Sequence, residues 1–233
     1  MVLSRENIED LAHSVLSDFQ GVSDKPLAID IDCLATDYLN LSIQYAALSK
    51  DQSILGITVY AACDIQTIEG TLHVTPNTVL LDNSLRPVPL MEKSQNNRRR
   101  FTLAHECAHQ ILYRYESAII QEYIKKSYSH RQSFTPRLLK TQEDWNEWQA
   151  DTLGAALLMP TNLLYQVWFL FCTGEKLQRY NGWFPPAERN QLNNMSQFLG
   201  VSQSALLIRL KQLNLIADKP GSAYCDPLDV IAS

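Results

Sequence analysis

Residues 100–113 of the chain read RFTLAHECAHQILY, with two histidines four positions apart and a glutamate directly after the first. His105, Glu106 and His109 form the pattern H-E-x-x-H inside an apolar segment. Residues four apart lie one above the other on an α-helix, so both imidazoles can bind one metal ion. Glu106 is rotated aside, toward the position of a metal-bound water. The segment therefore predicts a helix with a zinc site and Glu106 as its general base.

A third ligand is available 38 positions after His109, where Glu147 lies near the start of a second predicted helix. A catalytic zinc ion takes three protein ligands and keeps one open position, so His105, His109 and Glu147 complete a His₂Glu set. Asp151 lies one turn further and is placed to accept a hydrogen bond from the free ring N–H of a liganding histidine. Small residues at 154–156 allow close helix approach. The alternatives are ordinary surface histidines and solvated helix carboxylates.

The N-terminal half of the chain predicts helices followed by a small, mostly antiparallel sheet. Residues 1–19 have the spacing of an amphipathic helix, and Asp30 or Asp32 is placed to cap a short second helix. The predicted strands are residues 41–45, 54–60, 65–74 with a turn at Glu69-Gly70, and 78–81.

The C-terminal half predicts helices alone, so the fold class is α+β. A long helix is predicted from Arg98, with Asn96 or Asn97 as its cap, and no further strand is indicated. Thr141 and Asp144 have the spacing of a capping box for the helix that carries Glu147.

The tail predicts a pair of helices with a helix-turn-helix outline: residues 191–199, a stop at Gly200, a cap at Ser202, and residues 203–213. The second helix carries an apolar leucine stripe, which leaves Arg209, Lys211 and glutamines to face a DNA groove without a clear basic patch. We therefore expect the pair to pack on the protein. The predicted domains are a zinc metallopeptidase domain at residues 1–172 and a helical extension at residues 173–233 packed on it.

Composition and charge restrict the class of protein. A net charge of −5 argues against a general nucleic-acid-coating function. The five cysteines are scattered without a C-x-x-C pair, which indicates neither a disulfide framework nor a thiolate zinc cluster. Residues 1–19 lack the apolar region of a signal peptide, and residues 163–172 reach about half of the ~20 residues that span a bilayer. We expect a cytoplasmic protein without a membrane segment.

Three stretches together resemble the ImmA/IrrE family of metallo-endopeptidases: residues 100–109, Glu147-Trp-Gln-Ala-Asp151, and Leu157-Leu-Met-Pro160. The resemblance implies a zinc site in which Glu106 is the base and Glu147 the third ligand. It also implies a regulatory protein substrate, typically a helix-turn-helix transcriptional repressor cut at one or few sites. Cys107 departs from the family pattern, where a bulkier residue is usual, and we expect it to be a small core residue.

Two other functions stay open. The alternatives to a peptidase are a catalytically silent zinc-containing module that binds a regulator, and a DNA-binding regulator with a vestigial site. Intact Glu106 favours the enzyme, because a purely structural zinc site has no need of a base.

Several features near the motif helices also stay open. The basic segment 125–140 is either a solvated loop or a rim that grips an acidic substrate. Arg98, Arg99 and Arg100 are expected to be solvated or paired with acids, with a place along the cleft as the alternative. Candidates to stabilise the oxyanion are Tyr113, Tyr115, Tyr128 and His130.

Overall fold

The computed structural model describes residues 2–20, 28–116, 128–132 and 141–224, with the backbone alone for Gln20 and residues 130–132. Its helices are α1 (Arg5–Gln20), α2 (Ile31–Cys33), α3 (Lys93–Tyr115), α4 (Gln142–Leu158), α5 (Thr161–Phe171), α6 (Pro186–Leu199) and α7 (Gln203–Gln212). Its strands are β1 (Ser42–Ala46), β2 (Ile54–Val59), β3 (Cys63–Thr67), β4 (Gly70–Val74), β5 (Thr78–Asp82), β6 (Tyr128–Gln132), β7 (Leu177–Tyr180) and β8 (Ile216–Lys219). The architecture is mixed α+β, as predicted.

The main sheet has four strands in the order β1-β5-β2-β6. Strands β1 and β5 run parallel, whereas β2 is antiparallel to both of its neighbours, β5 and β6. Strands β3 and β4 form a separate antiparallel hairpin, with Gly70 at its turn. Helix α3 packs against this sheet through β2 and β5, so the central strands support the helix that carries the H-E-x-x-H pattern.

The prediction that no strand follows Arg98 is wrong. Strand β6 pairs with β2, and β7 pairs in parallel with β8 at the end of the described chain. These strands have four or five residues each, too few for an alternating pattern to be recognised, and their partners are distant in sequence. Their pairing, rather than local periodicity, makes them strands.

The start of α3 also differs from the prediction. The helix begins at Lys93, after Glu92, rather than near Arg98. Asn97, one of the two predicted caps, lies inside the helix, where its side-chain amide donates a hydrogen bond to the Val201 carbonyl at 3.0 Å. The asparagine therefore joins α3 to the turn between α6 and α7.

Other predicted helix ends are confirmed. The Asp30 carboxylate accepts a hydrogen bond from the Cys33 amide at 3.1 Å and caps α2. Thr141 and Asp144 form both bonds of a capping box at the start of α4. Gly200 ends α6 in the left-handed conformation with φ of 62°, and the Ser202 hydroxyl caps α7. Each of these signals acts within a few residues of the helix end, which is why the sequence shows it.

The tail helices pack on the rest of the protein. Leu192, Met195, Leu206 and Leu210 belong to the same hydrophobic cluster as residues of α1, α3 and α4. The expectation that Arg209 remains to face a groove is wrong: its side chain is 1% exposed. The guanidinium forms an ion pair with Glu9 of α1 and donates to the Met159 carbonyl at 3.1 Å. The helix-turn-helix outline and the domain boundary after residue 172 stay predictions.

Within the described residues, no single helix is long and apolar enough to cross a membrane. Helices α4 and α5 satisfy that criterion only when taken together, and they are bent by 49° at their junction.

Candidate metal centre

Helices α3 and α4 cross closely where the two predicted motif segments lie. A methyl group on Gly154 would lie 3.1 Å from the His105 amide nitrogen and 3.2 Å from the Ala104 carbonyl, so only glycine fits without a shift. Ala150, Leu153 and Leu157 of α4 are fully buried and belong to the same hydrophobic cluster as Leu103 and Ala104 of α3. The predicted close approach at the small residues of α4 is therefore confirmed at Gly154, and it brings Glu147 to the histidines.

The structure places His105, His109 and Glu147 together in one buried cluster. The two histidine Nε2 atoms are 3.0 Å apart. Glu147 Oε2 lies 3.4 Å from His105 Nε2, and Glu147 Oε1 lies 3.2 Å from His109 Nε2. The three side chains are at most 8% exposed.

These separations suit one shared metal ion. Donor atoms held about 2.0–2.1 Å from a tetrahedral ion are themselves about 3.3 Å apart, close to the observed spacing. The candidate ligand atoms all lie within 4.8 Å of one another. Two imidazole nitrogens and a carboxylate can therefore hold a metal ion here with little movement.

The protonation states of this cluster also suit metal binding. The pKa of His109 is lowered, chiefly because burial disfavours the charged imidazole; the hydrogen bond with Glu147 opposes this only in part. Burial alone would raise the pKa of Glu147, but its hydrogen bonds to His105 and His109 lower it below the usual range. A neutral imidazole and an ionised carboxylate are the forms that bind metal.

Asp151 contacts the second ring nitrogen of His105, the one that faces away from the cluster. Its Oδ1 lies 2.9 Å from His105 Nδ1, whereas His105 Nε2 faces the cluster. A carboxylate at this place holds the proton on Nδ1 and leaves Nε2 free to bind metal. The contact is the one that helical spacing predicts for Asp151.

Replacing Asp151 with asparagine is expected to weaken metal binding by roughly ten- to a hundredfold without abolishing it. The amide keeps the size of the side chain but removes the charge that orients His105 and makes its ring more basic. The measurement is metal affinity by competition with a chromogenic chelator. Asp218→Asn is the matched control: Asp218 lies in β8, in an exposed ion pair with Arg179 of β7, and its replacement should leave the affinity unchanged. An unchanged affinity in Asp151→Asn would show that the contact has no bearing on metal binding.

Glu106 is fully buried on α3, between the helix and strand β2. A Cβ atom at Gly56 of β2 would overlap the Glu106 carboxylate: it would lie 2.9 Å from Cδ and contact Oε1 still more closely. The absence of a side chain at Gly56 therefore makes the space that the carboxylate occupies. The role of Gly56 could not be predicted from the sequence, because nothing in the segment around it indicates a contact with a residue 50 positions later.

Cys107, which follows Glu106, is a core residue as predicted. Its side chain is fully buried. Burial raises the pKa of the thiol well above its ordinary value. The thiol therefore stays protonated, and Cys107 belongs to the same hydrophobic cluster as residues of α1 and α4.

A cleft opens beside the cluster. His109 and Glu147 line it, together with Tyr60, Tyr113 and Tyr115. Tyr113 and Tyr115 were expected near the site, but Tyr60 was not. Ser129 of β6 also lines the cleft, and its hydroxyl donates to Glu147 Oε1 at 3.3 Å.

Other predicted rim residues are only partly described. Tyr128 is 41% exposed on β6. The side chains of His130 and Arg131, and the whole of Lys125, Lys126, Arg137 and Lys140, lie outside the described residues. Where the structure describes the lining of the cleft, its charged residues besides Glu147 and His109 are the acids Glu116 and Glu143.

The arginines at 98–100 differ from one another. Arg99 is 7% exposed and forms a bidentate ion pair with Asp32, so the expected pairing with an acid is confirmed for it. Arg100 donates to the backbone carbonyls of Gly200 and Ile29. Arg98 is exposed. The buried Arg99 and the half-buried Arg100 thus tie α3 to its surroundings.

Comparison with known proteins gives the family. A search of the curated proteins found no match. The family model of the M78 peptidases, described as the IrrE N-terminal-like domain, matches residues 62–211, which is more than half of the chain. The matched residues include His105, Glu106, His109, Glu147 and Asp151, and they agree with the resemblance that the motif helices indicate. The chain therefore belongs to the M78 peptidase family, the family of the IrrE N-terminal-like domain.

Proposed function

We propose that the protein is a zinc-dependent endopeptidase. The observation that carries this proposal is the convergence of His105, His109 and Glu147 on one point, with Glu106 on the next position of the same helix. A His₂Glu set with one open position is the donor set of catalytic zinc in peptidases. A bound zinc ion would supply Lewis acidity: it would polarise a carbonyl group and lower the pKa of water toward about 7.

The chain's own residues account for the proton transfers. Glu106 accepts the proton of the water that attacks the scissile carbonyl, and then delivers this proton to the leaving amine. Strand β2 holds the carboxylate against α3, because Gly56 leaves room for it and for little else. Asp151 keeps His105 in one tautomer. A silent binding module would need neither a base nor a strand shaped around it.

The substrate that we propose is a regulatory protein, a helix-turn-helix transcriptional repressor, in the cytoplasm. The support for this substrate is the resemblance of the motif helices to the ImmA/IrrE family. We also propose that the protein does not bind DNA directly, because Arg209, one of the few cations of the tail helices, is buried against Glu9.

The test of this function is cleavage. The purified protein is incubated with candidate repressors encoded near its gene, with and without a chelator, and the fragments are identified by mass spectrometry. We expect cleavage at one or few bonds, loss of cleavage in the chelator, and recovery when zinc is added back. A protein that binds zinc but cleaves no repressor or peptide would support the regulator-binding module instead.

Replacing Gly56 with alanine is expected to lower the rate of cleavage at least tenfold while the metal affinity changes little. The new methyl group would overlap the Glu106 carboxylate and displace it. The three atoms closest to the Cβ position of Gly56 all belong to Glu106, and none of them is a candidate metal ligand. Overpacking of this kind costs about 1–3 kcal/mol of stability, so the variant is assayed well below its melting temperature.

Gly174→Ala is the matched control, because its Cβ position meets only the Lys176 carbonyl at 3.6 Å, an ordinary contact. The control should cleave at the rate of the wild type. Equal rates in Gly56→Ala and the wild type would mean that the position of Glu106 does not depend on this strand.

A further inference from the structure

Strand β2 lies along the same helix that carries the histidines. Alternate residues of the strand and its end face α3: Gly56 lies against Glu106, Thr58 bonds Gln110, and Tyr60 stacks on Tyr113. On α3 the three partners are separated by four and three positions, the spacing of one helix face. Gly56, Thr58 and Tyr60 all precede the residues that the family model matches.

Tyr60 is fixed in place from two sides. The Gln110 amide donates to the Thr58 hydroxyl at 2.8 Å and to the Val59 carbonyl at 3.1 Å, so the backbone just before Tyr60 is bound to α3. The Tyr60 ring stacks on Tyr113 with a centroid distance of 4.3 Å and an angle of 22°. Tyr113 is itself one turn beyond His109 on α3. The backbone and the ring are therefore both held relative to the histidines.

The Tyr60 side chain borders the cleft beside the candidate metal ligands. It lines the same cleft as His109 and Glu147 and is half-buried. Among the described residues, its hydroxyl has no hydrogen-bond partner. Burial raises its pKa well above the ordinary value, and the negative charges of Glu106 and Glu147 raise it further. The hydroxyl therefore stays protonated at neutral pH and can donate a hydrogen bond.

We propose that Tyr60 is the residue that stabilises the oxyanion during peptide cleavage, by a hydrogen bond from its hydroxyl. This inference rests on the proposed peptidase function. As the water oxygen bonds to the carbonyl carbon, the C–O double bond opens and its oxygen becomes negative, while Glu106 takes the water proton. Tyr60 donates a hydrogen bond to that oxygen and keeps its own proton. When the C–N bond breaks, the carbonyl re-forms and Glu106 gives its proton to the amine.

The other tyrosines near the cleft are less suited to this role. Tyr115 and Tyr128 are 59% and 41% exposed, so water competes for their hydroxyls and weakens a hydrogen bond to an anion. Tyr113 serves as the surface on which the Tyr60 ring packs. Tyr60 combines partial burial, an available hydroxyl and a fixed ring, which are the properties of a preorganised donor.

The test is Tyr60→Phe, which removes the hydroxyl and keeps the stacked ring. We expect kcat for repressor cleavage to fall by about 10²–10³-fold, with KM within threefold and zinc content unchanged. Tyr113→Phe is made in parallel, and Tyr165→Phe, on the exposed surface of α5, is the control that should match the wild type.

Binding to two probes gives a readout that does not depend on turnover. N-phosphoryl-Leu-Phe presents tetrahedral oxygens like those of the transition state, whereas mercaptoacetyl-Leu-Phe binds metal through sulfur and has no such oxygens. By calorimetry, Tyr60→Phe should bind the phosphoryl probe at least tenfold more weakly and the thiol probe with unchanged affinity. A residue that only packs would alter both affinities alike.

The outcomes separate this inference from the proposed function. If the wild type cleaves a repressor and Tyr60→Phe cleaves it within threefold of that rate, or if the large loss occurs in Tyr113→Phe alone, the assignment of Tyr60 is overturned. Equal weakening of both probes in Tyr60→Phe overturns it as well. If the wild type neither cleaves a protein nor binds either probe in a metal-dependent manner, the proposed function fails and the role of Tyr60 fails with it.

Discussion

Replacing Glu106 with glutamine is expected to lower kcat by about 10⁴-fold or more while the protein keeps its fold and its metal. A positioned general base contributes about 10²–10⁴-fold, and here both proton transfers pass through the same carboxylate, which places the loss at the upper end. Glutamine is nearly the same size as glutamate, so it fits the space beside Gly56 that the carboxylate occupies. The metal is held by other residues in the proposed site, and no ligand is lost.

The measurement pairs the rate of repressor cleavage with the zinc content of the same sample. Glu69→Gln, in the exposed turn between β3 and β4, is the matched control for the loss of one negative charge and should cleave as fast as the wild type. Glu106→Gln that holds zinc and still cleaves within threefold of the wild type would exclude Glu106 as the base. Because the substitution leaves the cluster intact, it separates an enzyme from a module that only binds its partner.

The positions of the candidate ligands could be predicted from the sequence, because helical spacing fixes them. His105 and His109 are one turn apart on α3, and Glu147 and Asp151 are one turn apart on α4. Each pair therefore faces one direction, whatever the rest of the fold is. A single further condition, close approach of the two helices, is met by Gly154. Local geometry and one small residue thus account for most of the cluster.

The contribution of β2 could not be predicted in this way. The strand itself was expected, but alternation within it says only which residues share a face, and not which helix that face meets. Gly56 reads as an interruption in an apolar strand, and Tyr60 as the end of it. Their contacts with Glu106 and Tyr113 depend on the order of strands in the sheet, which brings together residues about fifty positions apart in the sequence.

Arg209 shows a related difficulty in the tail. On a helix with an apolar stripe, an arginine that lies off the stripe is expected in water or at a partner surface. Its partner, Glu9, lies on the first helix of the chain, and Thr161 completes the contact by donating to Glu9 at 3.1 Å. The ion pair between α1 and α7 is therefore completed by a hydrogen bond from α5. No pattern within the tail could indicate this partner.

Replacing Glu147 with alanine is expected to lower zinc affinity by more than a hundredfold and to abolish cleavage. Loss of a ligand should exceed the roughly ten- to hundredfold effect of an outer partner such as Asp151, because the ion loses a bond and a negative charge together. The charge matters here, since the carboxylate is buried beside two imidazoles and its lowered pKa keeps it ionised. Alanine retains the helix, so α4 should stay folded.

Glu143→Ala is the matched control for this prediction. Glu143 lies one turn before Glu147 on α4 and also lines the cleft, so the two variants remove the same group from neighbouring positions of one helix. Zinc affinity, measured by chelator competition, should fall in Glu147→Ala and stay within a few fold of the wild type in Glu143→Ala. The reverse order would make Glu143 the third ligand and would mean that α4 shifts along its axis by about one helical turn when the metal binds. A loss in Glu147→Ala alone would support His105, His109 and Glu147 as the ligand set. The metal would then bind without a shift of α4, because the close approach of α3 and α4 at Gly154 already brings the three side chains together.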